Sequence, residues 1–214
     1  DTLVGLVLST PDGTRLENTG VVWSPKTGPG QRYVKRHPVP FGEYVPFRGL
    51  LASVITRFNR VPRDFVAGDE AGILPAGPAV IGDVICFEVA YDNIVRDVVT
   101  GGGDVIAVQT NNATYGRTGQ VEQQLAMSRL RAVEHGRTVL VAATSGISAI
   151  IAPDGSVQQQ APEFTRDVLV DTIVLRSDET VATRLGAWPE LLLTIVGIMG
   201  LLTGLRRRGR KARA

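Results

Sequence analysis

The chain holds one cysteine, Cys86, placed where the apolar run Ile81-Gly82-Asp83-Val84-Ile85 stops and Phe87-Glu88 begins. A lone thiol cannot close an intrachain disulfide, so its work is packing, metal binding, pairing with another chain, or covalent chemistry. Its setting is that of a strand end, because the run before it is apolar and Asp92-Asn93 just beyond offers caps for a helix over 91–99. A thiol at such a strand-to-helix turn faces the positive end of the helix dipole, which favours the thiolate. The local sequence leaves a reactive and a structural cysteine equally open.

A second concentration of chemistry is Tyr33-Val34-Lys35-Arg36-His37-Pro38-Val39-Pro40-Phe41-Gly42-Glu43-Tyr44-Val45-Pro46. Three prolines and a glycine around one lysine and one glutamate restrict the backbone, which is how a rigid loop holds a side chain in place. The plain alternative is a rigid surface turn whose Lys35 faces water. His37 and His135, the only histidines, sit in unrelated contexts and with one cysteine make no zinc spacing. No metal and no cofactor is expected.

These groups need a scaffold. At 214 residues and 43% hydrophobic content the chain can bury a full core, in one domain or at most two. Asp1 to Ser9 reads as an interior β-strand and has no positive n-region, so it is not a signal peptide. Pro11-Asp12-Gly13 predicts a turn, Thr19 to Trp23 a second strand, and residues 26–48 a long ordered loop. Leu50, Leu51, Val54, Ile55 and Phe58 recur at helical spacing, predicting a short amphipathic helix that packs on the body or dips into a lipid surface. Val80 to Ile85 as strand, 91–99 as helix, Gly101-Gly102-Gly103 as turn and Asp104 to Thr110 as strand then follow in β-α-β order. Gln120 to His135 is the clearest helix, with Val121, Leu125, Leu130 and Val133 on one side and Gly136 as its stop. Strands are expected over Thr138–Ala143, Ile147–Ala152, Ser156–Gln160 and Asp167–Val174, with Pro153-Asp154-Gly155 as a hairpin turn.

Charge is unevenly divided. Residues 206–214 carry six of the 23 basic residues and no acid, which leaves −4 for everything before them. A mildly acidic body without basic-aromatic interleaving excludes a nucleic-acid-binding face. Trp188 to Leu205, just before the tail, would span ~27 Å as a helix, close to the hydrocarbon thickness of a bilayer. Its single charge, Glu190, falls in the first turn, Pro189 suits the first helical position and Trp188 the interface belt. The alternative is a buried core helix, but the basic flank matches a cytoplasmic stop-transfer signal. The expected organisation is a catalytic domain over 1–180, a transmembrane helix over 186–205 and a basic cytoplasmic tail over 206–214, with the body on the extracytoplasmic side of the cell membrane. A chain that opens on a strand, without an initiator methionine, is expected to be the C-terminal piece of something longer.

Lys35 in its Tyr33-to-Glu43 loop, Cys86 within Gly82-Asp83-Val84-Ile85-Cys86-Phe87-Glu88, and Thr110-Asn111-Asn112-Ala113-Thr114-Tyr115-Gly116 together resemble the nitrilase (carbon-nitrogen hydrolase) superfamily, and within it the apolipoprotein N-acyltransferase branch. The resemblance runs on through Arg129–Arg137, Ala143–Ala149 and Asp154-Gly155 into the last helix, and so covers essentially the whole chain. It implies a four-layer α-β-β-α sandwich, truncated at its N-terminus. It also implies a Glu-Lys-Cys triad of which Lys35 and Cys86 are present: a glutamate takes the thiol proton, and Cys86 takes an acyl group from a phospholipid and passes it to the amine of a diacylglyceryl-cysteine at the N-terminus of an apolipoprotein. Lys35 would stabilise the oxyanion, with the N–H of Phe87 as a second donor, and Glu43 and Glu88 would position Lys35 and tune its charge, the alternative for either being a plain structural ion-pair partner. Three departures stand out. Phe87 replaces the family's usual tyrosine, Thr114 replaces an aromatic, and the general-base glutamate belongs on a loop ahead of Asp1, a place that Glu17 does not match. A membrane-tethered amidase and a non-catalytic nitrilase-like fragment are the rival readings.

Overall fold

The structure, a computed structural model, describes residues 1–51 and 62–211. The chain opens with an antiparallel meander of β1 (Thr2–Ser9), β2 (Leu16–Ser24) and β3 (Gly28–Val34), in which Thr2 faces Trp23 and Ser9 faces Leu16. β3 lies inside the stretch expected to be loop. Gly28, Pro29 and Gly30 disguise it, and its edge position with a register shift opposite Val21–Trp23 is what lets a proline sit there.

A six-stranded sheet follows, its spatial order matching its chain order: β4 (Ile73–Ala76), β5 (Ala79–Ile85), β6 (Val105–Thr110), β7 (Val139–Ala143), β8 (Ala149–Ile151) and β9 (Val157–Gln160). β5, β6 and β7 are parallel, which requires crossovers, and the flanking pairs are antiparallel. The crossovers are α2 (Asp92–Thr100), burying Ile94, Val95, Val98 and Val99, and α3 (Gln120–His135), closed by Gly136 at φ 62°. α3 buries only half of the face expected of it, Val121 being buried and Leu125 packed against the core. Leu130 and Val133 are exposed, whereas Gln124, Ser128, Arg131 and His135 point inward beside Val121 and Ala132, because each of these polar side chains finds a partner inside.

One core lies between this sheet and its helices, built on Val84, Val89, Val95, Val98, Ile106, Val108, Val139 and Ile151. A smaller one, Val22, Tyr33, Leu74 and Ile85 with Cys86 packed against it, lies between the two sheets. There the register partners Gly5 and Gly20 leave room for buried Asp83 and its half-buried partner Gln109, and a Cβ on Gly20 would stand 1.8 Å from Asp83 Oδ2. The α-β-β part of the expected sandwich is thus present; a helical layer on the outer face of the three-stranded sheet is not found among the described residues.

Three shorter or terminal helices complete the chain: α1 (Arg48–Leu51), α4 (Val181–Leu185) and α5 (Trp188–Lys211). The amphipathic helix expected from Leu50 to Phe58 lies mostly outside the described residues. Asp167–Val174 forms no strand; Val168, Val170 and Val174 are exposed, since β-propensity without a partner edge makes no ladder. The apolar side chains of α5, from Leu191 to Leu202, are exposed rather than buried in a core. Among the described residues no helix is long and apolar enough to cross a membrane, so the span expected over 186–205 is not met. Glu190, two threonines and three glycines dilute the apolar part of α5, and the helix continues into the basic run as far as Lys211.

Candidate active site

β5 delivers Cys86 at its C-terminal end, and the chain turns at once into a 3-10 turn, Cys86–Ala90, and then α2. Cys86 has φ 57°, the left-handed region, which costs a non-glycine residue about 1–3 kcal/mol and persists only where the surroundings enforce it. The enforcement is visible on both sides. Ahead of the thiol, Ile85 N–H donates to Glu88 Oε2 at 2.8 Å; behind it, Arg131 of α3 donates to Val89 O at 2.9 Å and to Ala90 O at 2.8 Å. Phe87 lies in the first turn, where backbone N–H groups have no partner within the turn. Its ring is partly exposed and meets Tyr91 edge-on, and Tyr91 in turn lies 4.0 Å from the His37 ring. The cap of α2 is Tyr91 without a side-chain bond, not Asp92-Asn93; Asp92 instead accepts from Arg131.

Lys35 leaves the sheet directly after β3, with its N–H donating to Asn18 O at 2.8 Å. It is 1% exposed, and its ammonium donates to Glu43 Oε1 at 2.9 Å and Oε2 at 2.7 Å. A buried ammonium needs such a partner. Glu43 is fixed in its turn by Asn18 Nδ2 at 2.9 Å and Val39 N–H at 2.6 Å, the latter bond closing the proline-rich loop on itself with Phe41 at φ 62°.

Glu88, expected beside Lys35, does something different. Fully buried, it accepts from Tyr33 OH at 2.9 Å, Arg36 N–H at 2.7 Å and His37 N–H at 2.9 Å, besides Ile85 N–H. It sews the loop that carries Lys35 to the turn that carries Cys86. The Tyr33 hydroxyl is pushed well above its ordinary range by burial and then by the Glu88 charge, so it stays a donor.

Sequence reasoning assigned no role to Tyr115, yet its hydroxyl stands 3.8 Å from Cys86 Sγ. The loop after β6 places it there: Tyr115 N–H donates to Asn112 O, Thr118 Oγ1 donates to Tyr115 O, Gly116 turns at φ 56°, and buried Asn112 is tied to Gln124 of α3 at 2.6 Å. Burial, then the charge and hydrogen bond of Cys86, then the charge of Glu43 raise this phenol to about 12. The available signal was position, since loops at the carboxyl ends of parallel strands are where sites collect.

Asp92, Glu134 and His135 bring three metal-ligand atoms within 4.8 Å of one another. Arg131 Nη1 hydrogen-bonds both carboxylates, so a cation already occupies the centre of the group. His135 is completely buried, shares a hydrogen bond with Thr183 Oγ1 at 2.9 Å, and is lowered to about 4, mainly by burial. The donor set fits an ion-pair network holding α2, α3 and α4 together better than a metal centre.

The family model for carbon-nitrogen hydrolases matches residues 2–184. Over 95% of its length the chain is 41% identical to an apolipoprotein N-acyltransferase of Mycolicibacterium smegmatis, and over 99% it is 30% identical to one of Photobacterium profundum. These matches cover 34% and 42% of the two relatives, so the chain spans well under half of their length. Among solved structures, Saccharomyces cerevisiae Nit3, of the nitrilase superfamily, superposes with a TM-score of 0.56 at 14% identity, covering 76% of this chain and 55% of its own.

Proposed function

Because the chain belongs to the carbon-nitrogen hydrolase family, we propose that it is the acyl-transferring part of an apolipoprotein N-acyltransferase. In this reading a general base takes the Cys86 proton, the thiolate attacks the ester carbonyl of a phospholipid, and a lyso-lipid leaves an acyl thioester on the sulfur. The α-amine of an apolipoprotein's diacylglyceryl-cysteine then attacks that carbonyl, forming the amide and returning the thiol. Lys35 and the Phe87 N–H stabilise the oxyanion in both halves. Glu43 holds the ammonium, and Glu88 keeps the two loops in register. The observation that supports this most is the strained Cys86 at the end of β5, bound through Glu88 to the loop of the buried Lys35–Glu43 pair.

Membrane attachment belongs to the same proposal. Leu191, Leu192, Leu193, Ile195, Val196, Ile198, Met199, Leu201 and Leu202 are all exposed on α5, a surface suited to lipid. Residues 188–204 would span about 26 Å of helix, a little short of a hydrocarbon core of about 30 Å, so entry draws on local thinning and on basic side chains reaching the headgroups. The body then lies on the extracytoplasmic side of the cell membrane and the basic run on the cytoplasmic side.

The intact protein is incubated with acyl-labelled phospholipid vesicles, and the peptide containing Cys86 is analysed by mass spectrometry before and after hydroxylamine. A hydroxylamine-labile acyl group on Cys86, transferred on addition of a diacylglyceryl-cysteine peptide, is the expected result. Ammonia release from amides with no acyl transfer would replace this reading with the amidase, and acylation that survives Cys86→Ser would remove the thiol from the chemistry.

A further inference from the structure

We infer that the Tyr115 hydroxyl is a catalytic hydrogen-bond donor to the Cys86 sulfur, stabilising it whenever it carries negative charge; the reaction served rests on the function proposed above, whereas the contact does not. The phenol lies 3.8 Å from Sγ, the reach of an O–H···S contact to a large atom. A thiolate can only accept, so once the sulfur is ionised the phenol must be the donor. Its proton is well kept, because burial and the neighbouring charges of Cys86 and Glu43 hold it to about 12.

The surrounding groups favour this division of labour. Glu43 engages the Lys35 ammonium with both oxygens, and Phe87, next to the nucleophile, brings an aromatic ring without a hydroxyl. Tyr115 is held from both sides in sequence by its bonds to Asn112 and Thr118, so the hydroxyl is delivered by an anchored loop and not by a mobile side chain alone.

No proton changes hands in this role. The O–H···S bond is strongest with thiolate, weakens when the sulfur becomes a neutral thioester, and re-forms as the acceptor amine expels the sulfur. Tyr115 therefore helps the sulfur as leaving group more than as attacker, and its removal slows the transfer half-reaction more than the acylation half-reaction.

The test uses the intact protein, wild type and Tyr115→Phe, alkylated with iodoacetamide at pH 7 and pH 10. Without the donor the thiolate is scarcer but intrinsically more nucleophilic, with a Brønsted coefficient of about 0.4–0.5. Y115F is thus expected to react about threefold more slowly at pH 7 and about twofold faster at pH 10. Equal rates, or a change in the same direction at both values, would overturn the assignment, because altered packing or access moves both alike. If wild-type Cys86 alkylates normally but never takes an acyl group from phospholipid, the functional reading fails while the test of the donor still stands.

Discussion

Glu88→Gln separates a group that holds the site together from one that works in it. The carboxylate is wholly buried and has no cation among its hydrogen-bond donors; Oε1 serves Arg36 N–H, His37 N–H and Tyr33 OH, and Oε2 serves Ile85 N–H and Tyr33 OH. A glutamine carbonyl can replace Oε1, but its NH2 must then face the Ile85 N–H, donor against donor. A buried donor left unpaired costs about 1–3 kcal/mol, and the surviving bonds weaken as the acceptor loses its charge. Together these come to about 3–4 kcal/mol, which for a domain of this size is a fall in Tm of roughly 6–15 °C. Thermal unfolding of the intact protein, followed by circular dichroism at pH 7, reads the stability, and acyl-thioester formation reads the chemistry. The same measurements on Glu43→Gln, which leaves the buried Lys35 ammonium without its charged partner, are expected to show a larger loss of acylation for a comparable loss of Tm. An E88Q protein melting within 2 °C of wild type would refute the account of Glu88 as the tie between the two loops.

Two buried titrating groups give stability profiles of opposite sign. Asp83 is raised to about 7, chiefly by burial, against an unfolded value of about 3.9, so its contribution is full below the latter and is lost as pH rises towards the former. About three units correspond to roughly 4 kcal/mol; Asp83→Asn should flatten that decline, and an unchanged slope of urea-unfolding stability between pH 4 and pH 7 would contradict the assignment. His135 is depressed to about 4, so its contribution is present above the unfolded value of about 6.5 and is lost as pH falls from there. Because the Asp83 contribution grows over the same interval, His135→Gln should melt higher at pH 4.5 than at pH 6, whereas in wild type the two contributions oppose each other; a variant whose change between the two pH values equals that of wild type would place the acid sensitivity elsewhere.

What was legible in the sequence was whatever local pattern decides. β5, β6 and β7 are apolar runs because parallel strands are buried on both faces, and α3 ends at Gly136 because a left-handed residue is needed there. β3 was hidden by Gly28, Pro29 and Gly30, and β4 is only four residues long with Pro75 inside it. Asp167–Val174 has strand composition, but pairing is a property of a neighbour and not of the segment. The inward face of α3 misled for a related reason. Gln124, Arg131 and His135 are buried because distant groups satisfy them, and nothing in their own spacing announces it.

The site divides along the same line. Lys35 and Cys86 stand out because rigid flanking sequence and a lone thiol are local signals, whereas Glu88 works through the backbone N–H groups of Arg36 and His37, some fifty positions away, which any residue but proline would present. That dependence follows from the strain at Cys86. A short turn cannot supply from its own residues the energy to hold a thiol at φ 57°, so the restraint has to come from elements already fixed by the core. The loop after β3 supplies it through Glu88, and α3 supplies it through Arg131 on Val89 and Ala90. The nucleophile's geometry is therefore a property of the packed sandwich, and loosening either restraint should relax the backbone at Cys86.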